Sequence, residues 1–324
     1  MKPVGVILLL LVAAVAAAAP WIAPNPPTRR FPELLYAPPT PIHLFGPSGG
    51  AAYIHPWRLV NRLERRFEPD HRRVVPLRWF TSGALVTADP DGGAPLLLLG
   101  ADGFGRDIFA RLVHGARPTL LLAATATVAA SLLGALAGAV AGYRRGWVDA
   151  VLSRCSEFVL VLPTIYVALA LRAVVPLVLP PAAVFALLAA ILTLLGWPIV
   201  ARGVRAIVLV EREREYAVAA RALGAGGARL LWRHLLPAAR GYIGTQAALL
   251  LPAFILAEAT LSYVGLGFPD SSPTWGTMLQ EAANVALLGD APWTLAPAAA
   301  IFVVVLAANL LVQGRGRAPV QYGR

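Results

Sequence analysis

Residues 212–237 read REREYAVAARALGAGGARLLWRHLLP, a polar, arginine-rich segment set between two long apolar runs. A segment of that kind has to leave lipid and return to it. Within it Tyr216, Ala219, Ala220 and Leu223 recur at helical spacing, and Gly224 then ends the helix. Leu231, Leu235 and Leu236 open a second apolar face, and Pro237 closes the unit. The pattern predicts a short amphipathic helix, a glycine break and a second helix, held out from the membrane as a rigid knob. A connecting helix lying flat on the lipid surface is the competing reading.

Composition sets the surroundings. Of 324 residues 58% are apolar and 14% charged, whereas a soluble domain carries about 25% charged residues. This is a membrane protein. The net charge of +11 does not point to nucleic acid, because Lys2 is the single lysine and the arginines are scattered through loops without an aromatic-interleaved basic patch. The single cysteine, Cys155, excludes an internal disulfide and falls in an expected span, where it reads as inert packing.

Residues 1–23 hold one unbroken apolar run. An uncleaved first transmembrane helix (a signal anchor) and a cleaved signal peptide both fit. The run nears the roughly 20 residues that cross a bilayer and exceeds the usual signal core of about 7–15. From 24 to 118 the character changes, with half of the 28 prolines between Pro20 and Pro95 and breaks at Gly49-Gly50 and Gly92-Gly93. This predicts an extracytoplasmic insert of irregular or short-strand structure. Inside it, residues 57–67 place Val60, Leu63 and Phe67 on one helical face and Arg58, Arg62, Arg65 and Arg66 largely on others. A helix on anionic headgroups or against a binding protein, and the solvated face of a small domain, are both open readings.

Five apolar runs follow: 119–142, 151–175, 182–200, 242–264 and 294–313. The first carries Gly134 and Gly138 at the spacing that lets helices approach closely. The second carries Pro163, where a kink is expected. The fold class is an all-α membrane protein: six transmembrane helices, a long extracytoplasmic insert between the first and second, a five-helix core at 119–313 with a cytoplasmic loop at 201–241, and a tail at 314–324. Arg144-Arg145, the arginines of the 201–241 loop, and Arg315, Arg317 and Arg324 fall on one side, while residues 265–293 carry Asp270, Glu281 and Asp290 and no basic residue. The positive-inside rule then places both termini in the cytoplasm, long translocated inserts being exempt.

Before the second span runs Gly100-Ala101-Asp102-Gly103-Phe104-Gly105-Arg106-Asp107, with Arg111 and Arg117 beyond it. The glycines permit tight turns, and Asp102, Arg106 and Asp107 are placed to pair locally as the chain re-enters the membrane. A direct role toward substrate is the alternative to this structural one.

These stretches carry a family likeness. Ala219, Ala220, Gly224, Leu236 and Pro237 sit in the register of the cytoplasmic loop of ABC importer membrane (permease) subunits, with Val218 where that pattern has Glu. Residues 221–224, 233–237 and 100–107 resemble the dipeptide/oligopeptide/nickel branch, as does Ala257-Glu258-Ala259-Thr260-Leu261-Ser262 through Gly267; so do Trp147-Val148-Asp149, Glu157, Pro163, Trp197-Pro198 and Ala201-Arg202. The likeness runs from about Gly100 to the C-terminus.

The resemblance implies a type I ABC importer permease fold in the cell inner membrane and a path for di- or oligopeptides, nickel chelates or related solutes. It implies a second homologous permease subunit, two ATP-binding subunits and an extracytoplasmic substrate-binding protein as partners. Contact with the ATPases would fall to Glu215, Tyr216, Ala219, Ala220, Arg221, Leu223, Gly224 and Pro237, with Arg214 and Arg221 available to acidic residues on that partner. Glu258 and Ser262 would line the route or lock helices together.

Chemistry in this chain itself is not expected. A P-loop needs Gly-x-x-x-x-Gly-Lys-Ser/Thr, and Lys2 cannot supply it. ATP hydrolysis belongs to a partner chain. His43, His55, His71, His114 and His234 show no ligand spacing, so neither metal nor cofactor is expected, and no Gly-x-Ser-x-Gly elbow suggests a hydrolase. Glu258, the one acid well inside a predicted span, keeps a proton-coupled secondary transporter or channel as the alternative.

Overall fold

The computed structural model describes residues 2–45, 52–62, 64–81, 83–89, 91–163, 165–167, 169–170, 179–283 and 289–313. Leu63, Gly49-Gly50, the end of the 151–175 run and the tail with Arg315, Arg317 and Arg324 lie outside the described residues. The chain divides into two compact units. One comprises residues 7–120 and 262–304; the other comprises 1–6, 121–261 and 305–324.

In chain order the elements are α1 (Lys2–Ala17), α2 (Ala19–Ile22), β1 (Ile42–His43), β2 (Tyr53–Ile54), β3 (Trp57–Asn61), β4 (Arg66–Pro69), β5 (Val75–Pro76), β6 (Arg78–Thr81) and β7 (Ala84–Thr87). Then come α3 (Ile108–Arg144), α4 (Gly146–Val161), α5 (Pro181–Glu211), α6 (Glu215–Ala222), α7 (Gly227–Leu230), a π-helical stretch Leu231–Leu235, and α8 (Leu236–Ala238). The chain finishes with α9 (Arg240–Tyr263), α10 (Trp275–Glu281), a 3-10 turn Pro292–Leu295, and α11 (Ala296–Gln313).

Among the described residues four helices are long and apolar enough to cross a membrane: α3, α5, α9, and the helical stretch Pro292–Val312 that contains most of α11. Helices α1 and α4 have 16 residues each, which at about 1.5 Å per residue reach ~24 Å, short of the ~30 Å hydrocarbon core. At Pro163, where a kink is expected, the helix is broken and resumes: Leu162 is extended (φ −72°, ψ 120°), α4 ends at Val161, and residues 165–167 are helical again, because a proline ring disfavours helical geometry in the residue before it. Helix α3 starts eleven residues before Thr119, at Ile108, since the Asp107 carboxylate accepts hydrogen bonds from the backbone N–H groups of Phe109 (2.9 Å) and Ala110 (3.2 Å) and caps the first turn.

In the 7–120/262–304 unit the insert is built of short antiparallel strands. β1, β2 and β5 form a three-stranded sheet in that order, and β3–β4 and β6–β7 are hairpins. Ile54, Val75, Leu77, Ala88, Ala94 and Leu96 make one buried cluster, and Phe31, Leu34, Ala37, Leu97 and Ala101 make another, with Trp57 and Phe67 packed on it. The expected helical face over 57–67 is therefore overturned. Leu59 pairs with Phe67 across β3–β4, burial alternates along β3, and Val60 points outward, 52% exposed. Period two wins because Trp57 and Phe67 both find the cluster at Phe31 and Leu34 from a pleated strand.

In the other unit α3 and α5 touch backbone to backbone. A Cβ on Gly134 would lie 2.5 Å from the Trp197 carbonyl oxygen and one on Gly142 2.8 Å from that of Arg205, and Gly138 faces the Ala201 carbonyl. The small-residue row read at Gly134 and Gly138 thus runs one turn further. Beside it the Asp149 carboxylate accepts both Nε and Nη2 of Arg205, joining α4 to α5. Cys155 is not core packing; it lies exposed on α4.

Candidate functional site

The Arg212–Pro237 segment folds as a knob. Helix α6 runs Glu215–Ala222, and Gly224 follows at φ +82°, a left-handed conformation that glycine adopts without strain. The reversal is tied by Leu223 and Gly224 N–H groups donating to Ala219 and Arg221 carbonyls. Ala217, Leu230 and Leu235 are fully buried and fix the knob from below. Above, Leu223 is 89% exposed, and Tyr216 and Val218 are also exposed. Helix α6 therefore presents an apolar tip and keeps its burial for one alanine.

Two arginines here bond the backbone. Arg221 donates to the carbonyls of Arg212 and Ala217, and Arg212 donates to that of Tyr143 (2.7 Å) at the end of α3. Arg221 remains exposed, and Arg214 lies 3.6 Å from Glu211. Tyr216 donates to Glu211 (2.7 Å), and burial together with that acceptor pushes its phenol up to about 12. The π-helical stretch Leu231–Leu235 widens the turn before α8 and Pro237.

The Gly100–Asp107 motif is the second site, in the other unit. Its charges are not solvated loop charges: Asp102, Arg106, Asp107 and Arg111 are all 4% exposed or less. Gly105, at φ +71°, turns the chain where a side chain would collide with the Phe31 carbonyl. Asp102 accepts the Phe104 and Arg106 N–H groups and Arg106 Nε (2.8 Å). The remaining edge of the Arg106 guanidinium donates to both oxygens of Asp270 (2.8 Å) and to Glu281 Oε1 (2.7 Å), which also accepts Arg111 Nη2 (2.8 Å). Asp107 stands apart from this network, accepting Asn25 Nδ2 (2.8 Å) and capping α3.

Electrostatics follow from depth. Burial pushes the Glu281 carboxyl up to about 8 against the pull of Arg111 and Arg106. Burial likewise lifts Asp107 to about 7 in spite of its amide donors. Burial acts the same way on Asp270, but the Arg106 hydrogen bonds outweigh it and hold that carboxyl below the ordinary range. Three carboxylates clamp two guanidiniums, so the cluster can hold one proton without losing its geometry.

Sequence reasoning anticipated local pairing of Asp102 with Arg106 and missed Asp270, Glu281 and Arg111 as partners. One signal was present: residues 265–293 carry acids without a base, and two arginines waited in the motif. Glu258 and Ser262, on α9, are each 1% exposed, so the acid faces protein and not lipid. Among the histidines, His43, His55 and His71 meet edge to face in a row, with ring centroids 5.3 and 4.8 Å apart, an arrangement no local spacing reveals.

Comparison with known proteins places these features in one family. The sequence profile described as binding-protein-dependent transport system inner membrane component matches residues 105–315. The chain is similar to the di/tripeptide transport system permease protein of Pseudomonas aeruginosa, 30% identical over 96% of this chain and 84% of the relative. It is 38% identical to the dipeptide transport system permease protein of Alkalihalophilus pseudofirmus (66% of this chain, 68% of the relative). With the oligopeptide transport system permease protein of Bacillus subtilis the figure is 35% over the same shares. The matched span takes in the Gly105–Asp107 end of the motif, the α3–α5 contact and the α6 knob, and on it the chain belongs to the binding-protein-dependent transport system inner membrane components, the permease subunits of ABC importers.

Proposed function

We propose that this chain is one of two related membrane subunits of an ATP-driven importer for di- or oligopeptides, and that the α6 knob is its coupling helix. The observation that carries the reading is the apolar tip at Leu223, Tyr216 and Val218, exposed on a helix whose one arginine, Arg221, donates to the backbone of its own segment. Such a tip gains by being covered, and a pocket on an ATPase subunit would cover it. Gly224 and the Arg221 and Arg212 hydrogen bonds make the knob stiff, so a push on Leu223 and Ala220 moves α5 and α9, the helices on either side of the segment.

In this reading six spans cross the inner membrane, α1 and α4 being completed by flanking residues. Residues 24–118 form an extracytoplasmic insert that faces a substrate-binding protein, and both termini are cytoplasmic. Two ATP-binding subunits hydrolyse ATP, and this chain does no covalent chemistry. Asp102, Gly105, Arg106 and Asp107 brace the outer end of the path. Glu258 and Ser262 hold α9 within the bundle, and the proton-coupled alternative built on Glu258 is not favoured by the family. Support for peptide cargo comes from the names of the relatives.

The test is Leu223→Asp, with Ala220→Arg beside it, in the complex reconstituted with its ATPase subunits and binding protein. We expect both variants to insert and fold, with peptide uptake and peptide-stimulated ATP turnover lowered by about tenfold or more, a ~1.4 kcal/mol loss of coupling. Uptake and turnover at the unmodified level in both variants would refute the coupling role.

A further inference from the structure

We propose that the groove between the last turns of α3 and the α7/π-helical stretch is a binding site for an anionic phospholipid. Its walls are Val140, Tyr143, Arg144 and Val148 on one side and Leu231 and Trp232 on the other, enclosing about 470 Å³. The row Leu132, Leu136, Val140, Arg144 runs at i, i+4 spacing along one face of α3. Its three apolar members are 61%, 42% and 36% exposed, an unbroken track along a membrane-crossing helix that ends on a cation. An acyl chain laid on that track brings its headgroup to Arg144.

The mouth of the groove matches a headgroup. Trp232, in the wall, and Trp147, next to the lining residue Val148, are 56% and 77% exposed, and indoles with an apolar body and one N–H donor settle at the depth where chains meet headgroups. Arg144 is the cation of the lining, and it is exposed. Among the described residues no carboxylate lines the groove, and the nearby Asp149 is taken by Arg205. A zwitterionic lipid would bring its own cation to Arg144, whereas a phosphatidylglycerol headgroup brings only the phosphate.

The groove is also preformed. Arg212 fixes the Tyr143 carbonyl, and Gly227 packs so closely that a Cβ there would lie 2.5 Å from the Tyr143 hydroxyl. A lipid seated between these walls would brace the base of the α6 knob. Only this consequence rests on the coupling role; the site itself does not.

The experiment uses the full chain alone in nanodiscs, without ATP or ATPase. Phosphatidylcholine discs receive equal small fractions of phosphatidylglycerol or phosphatidylcholine brominated on the acyl chains, and tryptophan quenching is read in the wild type and in Trp147→Phe and Trp232→Phe. The quenching lost in the two variants isolates the groove indoles. We expect that component to respond to brominated phosphatidylglycerol at a mole fraction about fivefold lower than to brominated phosphatidylcholine. Arg144→Gln, at an exposed position, should erase the preference. Equal response to the two lipids in the wild type, which needs no variant to fold, would overturn the proposal and assign the groove to bulk lipid. So would a preference unchanged by Arg144→Gln. Shielding of Trp232 from an aqueous quencher only after ATPase subunits are added would likewise overturn it and assign the groove to protein.

Discussion

The Gly100–Asp107 motif and the Arg212–Pro237 segment are both glycine-broken, arginine-bearing links beside apolar helices, yet they solve opposite problems. In the first the arginines go inside. Arg106 and Arg111 are almost fully buried and face carboxylates brought from 164 and 175 residues away in sequence. In the second Arg212 and Arg221 hold backbone carbonyls within their own unit, and the turn after the short helix leaves a leucine outside, Leu223 at 89% exposure. A buried guanidinium among carboxylates is a closed structure whose worth is geometric definition. A bare leucine on a stiff helix is an open one, which gains free energy only when a partner arrives. Folding should therefore depend on the first region and coupling on the second.

The largest effect that would break this contrast is expected at Arg106. Removing it leaves Asp102, 5% exposed at the side chain, with two backbone N–H donors and Arg111 at 3.6 Å, and takes from Glu281 one of its two cations. Arg106→Ala should cost about 3–5 kcal/mol, the usual penalty for breaking a buried ion pair by removing one partner, seen as loss of folded protein in detergent or as a sharply lowered melting temperature. Arg106→Lys should rescue little, because a point charge cannot reach three carboxylates at once. Leu223→Asp should leave the melting temperature unchanged. If Arg106→Ala melts normally, or if Leu223→Asp unfolds the protein, the division of labour fails.

A smaller effect sharpens the packing side of the comparison. Gly138 meets the Ala201 carbonyl and has no room for a side chain, whereas Gly241, at the start of α9, has nothing near its missing Cβ. Gly138→Leu should destabilise by about 1–3 kcal/mol through forced separation of α3 and α5. Gly241→Ala should be neutral or stabilising by a few tenths to about 1 kcal/mol, since alanine is the better helix former. Thermal unfolding of the two variants in the same detergent gives the sign of each.

What the sequence made legible follows the range of the interaction. The Gly134–Gly138 row and the Gly224 break are local, carried by residues within one or two turns, and each could be read directly. The 57–67 stretch could not, because Val60, Leu63 and Phe67 satisfy a helical period while Trp57, Leu59 and Phe67 satisfy a strand. The choice was made by the pairing of Leu59 with Phe67 and the distant cluster at Phe31 and Leu34. Pro163 announced an interruption, and Leu162 adopts an extended backbone there before helix resumes at 165–167. In the charged network the arginines were visible, but Asp270 and Glu281 lie beyond any local rule, and the edge-to-face row of His43, His55 and His71 is likewise made by residues too far apart in sequence for local spacing to show.

The smallest and most discriminating effect is in pH. Glu281 is raised from 4.5 to about 8 by burial, so the folded state favours its neutral form. Its contribution to stability is fully present below the unfolded value and is lost as pH rises through about 8. Asp107 acts in the same direction, from 3.8 through about 7, while Asp270, held low, matters only on the acid side. The melting temperature should thus fall between pH 6 and pH 9, and Glu281→Gln, which keeps a carbonyl acceptor for Arg111 and carries no charge, should flatten the upper part of that fall. Leu223→Asp should leave the fall intact, because the two groups whose shifts drive it, Glu281 and Asp107, lie in the Gly100–Asp107 network and its cap and not at the knob. A profile that Glu281→Gln leaves unchanged would mean the network holds its charge as a fixed lattice. The proton would then have to be sought at Asp107, where Asn25→Ala, by removing the side-chain donor that favours the carboxylate, should move the transition to higher pH.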